Sequence, residues 1–389
     1  MKKIKIAVVL LLVLAASTIM AGEPYETETL TDIQTINTAG FGSQANKYAF
    51  SMAAYDGDLY VGTLNIKRMA GMFKFLTAMN AKRSSNGAEI WRYREGTWTK
   101  VVDGGLGSTA NIGVRKLFVA KGCLLGVTAN HNEGMEVWRT CDGESWEVVA
   151  DEGFGDKYNT SGRGLGLFKG HIYVGTENRK NGAQLWRSED GESWEKVATG
   201  GIRDKKNVWM SDFAVFKGHM YMGTLNITGG MQAFRTADGV SFERLFKGGI
   251  DKKTNFAGMK LYVFKDHLYL TTMDFIQGFD LYRSADGTSF ERVLKKGYTT
   301  RYNVYLWQME EYNGRLYAGT YRHSPYLIPT GEFELLSTND GVNWIVEDDN
   351  AFGNDWYYGV RSMSVYDGKL IIGTASARYG CKIIEAKAK

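Results

Sequence analysis

The sequence predicts an all-β protein, a seven-bladed β-propeller built from four-stranded blades. One reason is that a unit of about 48 residues recurs along the chain, a period typical of propellers. The other is that each unit consists of short runs of alternating apolar and polar residues, separated by glycine-rich turns, as in antiparallel strands. The threonine that ends the second strand of each unit recurs at Thr63, Thr128, Thr176, Thr224, Thr272, Thr320 and Thr374.

The two ends of the chain indicate how the ring closes. The seventh unit stops at Lys389, before its fourth strand, whereas residues 31–38 align with the fourth strand of the other units. We therefore expect the N-terminal strand to complete the last blade, so that residues 22–389 form a single propeller domain. Closure hides strand edges that would otherwise pair with other chains.

The N-terminal segment predicts export from the cytoplasm. Residues 1–21 combine a basic start, an apolar run over residues 6–14 and small residues up to Ala21, which is the pattern of a signal peptide. The expected location is therefore secreted or periplasmic, with cleavage near Ala21 and no transmembrane segment. Removing three lysines from a chain of formal net charge +4 leaves it nearly neutral, which does not favour nucleic acid as a partner.

The three cysteines suggest one disulfide. Cys123 opens a strand of the second blade and Cys141 closes the next strand, so the two positions oppose each other in a hairpin. The alternative is that both are small buried hydrophobic residues, and Cys381 has no predicted partner. The sequence has no Cys-x-x-Cys or His-x-x-x-His spacing, so it predicts no metal site, and no cofactor is expected.

A turn motif recurs between the third and fourth strands. It reads Arg-Thr-Cys-Asp-Gly-Glu-Ser-Trp at residues 139–146, where Asp accepts bonds from turn amides and Gly supplies a positive φ. Related turns occupy residues 187–194, 235–242, 283–290 and 337–344. The motif resembles the Asp box of sialidase-like propellers, although it lacks one residue between Asp and Gly. The resemblance implies a secreted propeller in which this turn lies far from any active site. An Arg-Ile-Pro segment, expected near the start of a true sialidase, is missing.

Asparagine repeats at the start of the first strand, on the face where we expect the mouth of the central channel. The six positions are Asn46, Asn111, Asn159, Asn207, Asn255 and Asn303, and the seventh unit has Tyr357 instead. A repeated asparagine either holds each loop through an Asx turn or contributes to a ring of ligand-binding side chains. Both interpretations remain open from the sequence.

The fourth residue after the repeated asparagine varies, and it supplies the candidate binding residues. In blade order this position holds Phe50, Arg115, Arg163, Ser211, Met259, Trp307 and Arg361. The three arginines could form one anion-binding wall, with Trp209, Tyr305 and Trp307 as a stacking surface. Alternatively, each arginine pairs privately with a carboxylate such as Asp156, Asp355 or Glu177.

An insertion over residues 66–85 departs most from the repeat. Its apolar residues recur at helical spacing, at Ile66, Met69, Met72, Phe73, Leu76 and Met79. We expect a helix that lies on the propeller, with a helix that binds a protein partner or a membrane surface as the alternatives.

These features favour a binding protein that recognises a glycan or a small anionic ligand at the channel mouth. The predicted ligand-binding residues are Arg115, Arg163, Arg361, Trp209, Tyr305, Trp307, Glu177 and Tyr321. The alternatives are a carbohydrate-active hydrolase or lyase using the same site, and a protein-interaction scaffold. Acid–base candidates for an enzyme are Glu177, His131, His323, Tyr305 and Tyr321, but no pair has a spacing that specifies a mechanism, so catalytic residues stay unassigned.

Overall fold

The computed structural model describes residues 28–67, 85–323 and 331–389. The predicted signal peptide and most of the predicted insertion helix lie outside these described residues. Within them, strands and turns dominate, and the helical segments are single turns at Ala39–Gly42, Glu152–Gly155 and Gly200–Arg203. No helix in the described ranges is long and apolar enough to cross a membrane.

The described strands pair into seven antiparallel sets of four, one for each predicted unit. Strand β1 (Leu30–Thr35) precedes the first complete set. That set comprises β2 (Asn46–Tyr55), β3 (Asp58–Asn65), β4 (Ile90–Arg94) and β5 (Thr97–Val102). The second set comprises β6 (Gly113–Ala120), β7 (Cys123–Ala129), β8 (Val137–Thr140) and β9 (Glu147–Ala150). The third set comprises β10 (Ser161–Phe168), β11 (His171–Glu177), β12 (Leu185–Ser188) and β13 (Glu195–Ala198).

The later sets repeat this order of four successive strands. The fourth set comprises β14 (Trp209–Phe216), β15 (His219–Leu225), β16 (Gln232–Thr236) and β17 (Glu243–Lys247). The fifth comprises β18 (Ala257–Phe264), β19 (His267–Met273), β20 (Leu281–Ser284) and β21 (Glu291–Leu294). The sixth comprises β22 (Asn303–Tyr312), β23 (Arg315–Arg322), β24 (Leu335–Thr338) and β25 (Ile345–Asp348). The last comprises β26 (Tyr357–Tyr366), β27 (Lys369–Ser376) and β28 (Ile383–Ala388), completed by β1.

The first strands of the seven sets surround a central channel. Each packs against the first strand of the next set, and β26 packs against β2, so the ring is closed. The N-terminal strand completes the last set as predicted, because Leu30 pairs with Ala388 and Thr35 pairs with Ile384. We call the face where the first strands begin the upper face, and the face where they end the lower face.

The Asp-Gly turns lock each set against its neighbour. Asp142 accepts hydrogen bonds from the backbone N–H groups of Glu144 and Ser145 at 2.8 and 2.7 Å. Gly143 has a φ of +74°, and a Cβ built there would lie 2.0 Å from the Tyr60 hydroxyl of the preceding set. A larger residue would therefore collide with a buried tyrosine. The same clash arises at the equivalent glycines except Gly191, where only the positive φ favours glycine.

The repeated asparagines are buried inside the upper loops. Asn159 donates to the Gly153 carbonyl at 2.8 Å and accepts from Thr176 and Asn178, each at 3.0 Å. All six asparagine side chains are fully buried. Most of their polar atoms hold the loops, although the Oδ1 atoms of Asn255 and Asn303 have no hydrogen-bond partner in the described part of the chain. The repeated asparagine thus has the structural one of the two roles considered above.

The second set contains a disulfide. Cys123 and Cys141 are bonded, with their Cα atoms 4.2 Å apart, and the bond links β7 to the end of β8. Cys381 is a buried free thiol.

Candidate ligand-binding cavity in the central channel

A register irregularity in every first strand determines which side chains face the channel. In β10, Gly162 pairs with Thr176 and Gly164 pairs with Gly175, so Arg163 is an extra residue without a direct partner. The same interruption falls at the fourth residue after the asparagine position in each of the other six first strands. A β-bulge of this kind redirects side chains, so neighbouring residues can face the same side of a strand.

The channel contains a cavity of about 300 Å³ that all seven bulge residues line. They are Phe50, Arg115, Arg163, Ser211, Met259, Trp307 and Arg361. The next residue along the strand also lines it in six sets: Ser51, Lys116, Asp212, Lys260, Gln308 and Ser362. The structure therefore brings the three predicted arginines together in one cavity, although they come from three different sets.

Arg163 is held by a buried ion pair. Its Nε donates to the Glu177 carboxylate at 2.8 Å, its Nη2 makes a second, shorter contact, and Arg179 donates to the other oxygen at 2.6 Å. Burial alone would raise the pKa of Glu177, but the two arginines hold that pKa well below its usual value. The Arg163 guanidinium also stacks 3.7 Å from the centre of the Trp209 ring. Arg163 is therefore paired with its own carboxylate, the second of the two arrangements considered above, although its side chain also lines the cavity.

Arg361 and Arg115 have no carboxylate partner among the described residues. Arg361 is only 6% exposed, and its Nε lacks any hydrogen-bond acceptor. Its guanidinium lies 4.4 Å from the Phe50 ring centre and 4.8 Å from that of Trp307, and Arg115 lies 4.8 Å from Phe50. Burial lowers the pKa of Arg361 to about 10. Burial, reinforced by repulsion from Arg163 and Arg361, lowers the pKa of Arg115 well below its usual value.

Two lysines share one carboxylate in the layer below the arginines. Asp212 accepts from Lys116 at 2.9 Å and lies 3.1 Å from Lys260, so it joins three different first strands. Burial would raise the pKa of Asp212, but the two ammonium groups lower it instead. Burial lowers the pKa of Lys116 to about 8. This bridge neutralises part of the positive charge of the cavity.

Glu310 is the second carboxylate that lines the cavity. Burial raises its pKa to about 7, with Lys260 opposing the rise and Glu311 adding to it. Glu310 has neither an ion pair nor a hydrogen bond to its side chain among the described residues. It therefore faces the cavity as a group that gains or loses a proton near neutral pH.

Above the cavity, buried tyrosines close the upper end of the channel. The Tyr305 and Tyr321 rings stack 4.6 Å apart, and the Tyr358 hydroxyl donates to that of Tyr48 at 2.7 Å. All four are at most 8% exposed. Tyr305, Tyr321 and Glu177, which the sequence grouped with the ligand-binding residues, therefore lie behind the lining rather than on it.

The lower ends of the first strands are exposed, whereas their upper ends are buried. The eighth residues after the asparagine position are exposed in six sets. They are Ala54, Val119, Leu167, Val215, Val263 and Glu311. The second residues, such as Trp209 and Tyr305, are buried. The cavity thus lies deeper than the upper mouth at which we expected a ligand, and it is nearer the opposite end of the channel.

The remaining acid–base candidates do not meet in this cavity. His323 packs against the rings of Phe275 and Tyr302 on the upper side, and His131 lies near Glu177, whose pKa it helps to lower. No group of three His, Cys, Asp or Glu side chains in the described residues is placed to hold a metal ion.

The lysines, Asp212 and Glu310 are the lining residues that sequence reasoning missed. Strict alternation along a strand places the fourth and fifth residues on opposite faces, so Lys116 and Lys260 were not associated with the arginines. The sequence does contain one indication of them. A charged residue directly follows the variable position in the second, fourth and fifth units, at Lys116, Asp212 and Lys260.

Comparison with solved structures identifies the architecture. The WD40 β-propeller domain of Doa1 is 11% identical, with 92% of this chain and 97% of that chain covered and a TM-score of 0.52. A candidate 6-phosphogluconolactonase from Bacteroides uniformis is 12% identical, with 83% and 98% covered and a TM-score of 0.50. The chain is a β-propeller. At such low identity these likenesses concern the fold alone.

Comparison at the level of sequence assigns no family. No protein-family model matches the chain, and no curated protein does. The resemblance of the propeller's Asp-Gly turns to the sialidase-like Asp box remains a prediction. The cavity is therefore the feature of the molecule that bears on its function.

Proposed function

We propose that this propeller is an exported binding protein that takes a small anionic ligand, such as an acidic sugar, into its central cavity. The observation that carries the proposal is the pair of guanidinium groups, Arg361 and Arg115, that line the cavity without a carboxylate partner among the described residues. A buried charge without a partner is costly, and an anionic ligand would supply the missing one.

The charge balance of the lining supports an anion. Five basic side chains line the cavity: Arg115, Lys116, Arg163, Lys260 and Arg361. Two acidic side chains, Asp212 and Glu310, line it as well. Arg163 is paired with Glu177 behind the lining, and both lysines contact Asp212. Arg361 and Arg115 are thus the lining cations that contact no carboxylate among the described residues, and they offer planar forks to a carboxylate, sulfate or phosphate.

The size and surface of the cavity support a small organic anion. Its volume of about 300 Å³ lies at the lower end of the range for ligand pockets. Trp307 and Phe50 add ring faces beside the arginines. A sugar acid combines the groups that such a lining can recognise, namely a carboxylate, hydroxyl groups and an apolar ring face.

Titration calorimetry with D-glucuronate and sulfate tests the proposal. We expect Arg361→Met to weaken binding at least about tenfold, which corresponds to losing one charged hydrogen bond. Arg187→Met is the matched control, because Arg187 pairs with Glu195 at 2.5 Å on the outer strands, away from the channel. Equal affinity of the two variants, or no binding of either anion by the unmodified protein, would contradict the proposal.

A carbohydrate-active enzyme is the second candidate, and Glu310 is the observation that favours it. A carboxyl group with a pKa of about 7 has the value expected of a general acid or base near neutral pH. Incubation with acidic oligosaccharides, followed by detection of new reducing ends or of unsaturated products, distinguishes hydrolysis and elimination from binding. Loss of that activity in Glu310→Gln would support the enzyme.

A further inference from the structure

Glu310 and the arginines occupy different levels of the same cavity. Glu310 follows Trp307 by three residues on β22, and both line the cavity. At the rise of an extended strand, three residues separate their backbones by about 10 Å along the channel. A ligand whose acid group contacts Arg361, and that is long enough to span this distance, would bring its remaining atoms to Glu310.

The groups around Glu310 leave its carboxyl available to a ligand. From β18, Lys260 faces it, but that ammonium already contacts Asp212 at 3.1 Å, and the Tyr262 hydroxyl accepts from the Glu311 backbone N–H at 2.9 Å. From β26, the lining groups are Arg361, Ser362 and Ser364, of which only Arg361 carries a charge. On β23, the residue opposite Glu310 is Tyr317, whose hydroxyl contacts Thr29. On its own strand, the charged neighbour is Glu311, and Gln308 also lines the cavity.

We propose that Glu310 determines which anions the cavity accepts, by favouring an anion that also donates a hydrogen bond over one that cannot. The favoured class comprises hydroxylated organic acids long enough to span the two levels, and the disfavoured class is represented by sulfate. This inference rests on the proposed function, because it concerns the second end of a ligand held by the arginines.

The physical reason is the charge state of the carboxyl group. When Glu310 is ionised, it accepts a hydrogen bond from a ligand hydroxyl, whereas it repels a sulfate oxygen, which has no proton to donate. When Glu310 is protonated, it can donate to any of these anions. The pKa of about 7 places the change between these two states near neutral pH. Selectivity should therefore be present above that pH and lost below it.

The experiment compares D-glucuronate, inorganic phosphate and sulfate by calorimetry at constant ionic strength. Measurements at about pH 8.5 and about pH 5.5 bracket the pKa of Glu310. At the higher pH we expect glucuronate to bind at least about tenfold more tightly than sulfate, as for an unpaired charged group. At the lower pH the ratio should approach one. Phosphate is the short-anion control: it is too small to span the two levels, so it should bind about as tightly as sulfate at the higher pH.

Two variants isolate the role of Glu310. Glu310→Gln should bind sulfate nearly as tightly as the other anions at both pH values, since the amide neither repels nor titrates. Glu311→Gln, on the exposed neighbouring residue, should keep the selectivity of the unmodified protein. Equal binding of sulfate and glucuronate by the unmodified protein at about pH 8.5 would overturn this inference while leaving anion binding intact. Failure of all three anions to bind would instead overturn the proposed function.

Discussion

The ammonium group of Lys116 lies 2.9 Å from the carboxylate of Asp212, although a whole set of strands separates their parent strands β6 and β14. The intervening strand, β10, has glycine at the equivalent position, Gly164, so it places no side chain between the two. The two side chains therefore meet inside the channel, in front of β10. Together with Lys260, it forms a bridge below the arginine layer and ties three sets of strands to one another.

Asp212→Asn should reduce stability and increase affinity for anions. Both lysines would lose their shared carboxylate, and the lining would gain one positive charge. Because the lysine side chains are 25% and 15% exposed, water relieves part of the cost. We expect a loss of about 1–3 kcal/mol in the free energy of unfolding. Urea unfolding measures this loss, and titration with sulfate measures the affinity. Glu195→Gln, at an exposed pair, is the control and should change little. Unchanged stability of Asp212→Asn would show that the bridge is not structural.

The fold could be predicted from the sequence because the repeat encodes it many times over. The strand pattern and the buried threonine recur in every unit, and the Asp-Gly turn recurs in most of them. A strand that is ambiguous in one unit can therefore be assigned from the others. The arginines stand out for the opposite reason, because they depart from the repeat. Arg115, Arg163 and Arg361 stand where other units have Phe50 or Ser211, so the fold does not require them.

The depth of the cavity and its lower layer could not be predicted, for a geometric reason. The bulge at the fourth position adds a residue to each first strand, and this extra residue shifts the alternation of every side chain that follows. Nothing in the local sequence of Gly162–Gly164 marks that shift. The sequence therefore indicated the arginines but not Lys116 or Glu310. It predicts a ligand at the channel mouth, whereas the cavity lies further along the channel.

Arg163 and Arg361 should respond differently to the same substitution. Arg163→Met removes one of the two cations that pair with the buried Glu177, and we expect a loss of about 3 kcal/mol in the free energy of unfolding. Arg361→Met removes a buried cation that has no anionic partner, so relief of that cost offsets the lost contacts with Phe50 and Trp307. Its stability should stay within about 1 kcal/mol of the unmodified protein. Thermal and urea unfolding compare the two, and equal destabilisation would argue that Arg361 is a structural residue.

Glu310→Gln should stabilise the protein at and above neutral pH, to a decreasing extent as the pH falls from about 7, and not below about pH 4.5. The pKa of Glu310 is about 7 in the folded state and near its usual value of 4.5 in the unfolded state. The folded state therefore binds the proton more tightly, and this stabilising contribution is fully present below about pH 4.5 and lost as the pH rises through about 7. At about pH 8 the variant should be more stable by up to about 2 kcal/mol, since partial exposure reduces the full effect. At about pH 4.5 the two proteins should unfold alike. Urea unfolding across this pH range gives the difference curve, and a difference that does not vary with pH would contradict the assignment.

Glu347 should be essential for closing the ring. This carboxylate is 2% exposed and accepts the backbone N–H of Thr29 at 2.9 Å, the Thr29 hydroxyl, and the Ser337 hydroxyl at 2.5 Å. Through Glu347, which lies on β25, the residue just before β1 is linked by hydrogen bonds to β24 and β25 of the preceding set. Glu347→Ala removes the acceptor of the Thr29 N–H and of the Ser337 hydroxyl, whereas the Thr29 hydroxyl keeps its contact with Tyr317, so we expect a loss of about 2–4 kcal/mol in the free energy of unfolding. Glu291→Ala, at an exposed pair with Arg283, is the matched control and should cost less than about 1 kcal/mol. Hydrogen exchange adds a local readout: in Glu347→Ala, the backbone amides that pair β1 with β28 should exchange faster than those that pair β10 with β11. If β1 stays as protected as in the unmodified protein, closure depends on the β1–β28 pairing alone and not on Glu347.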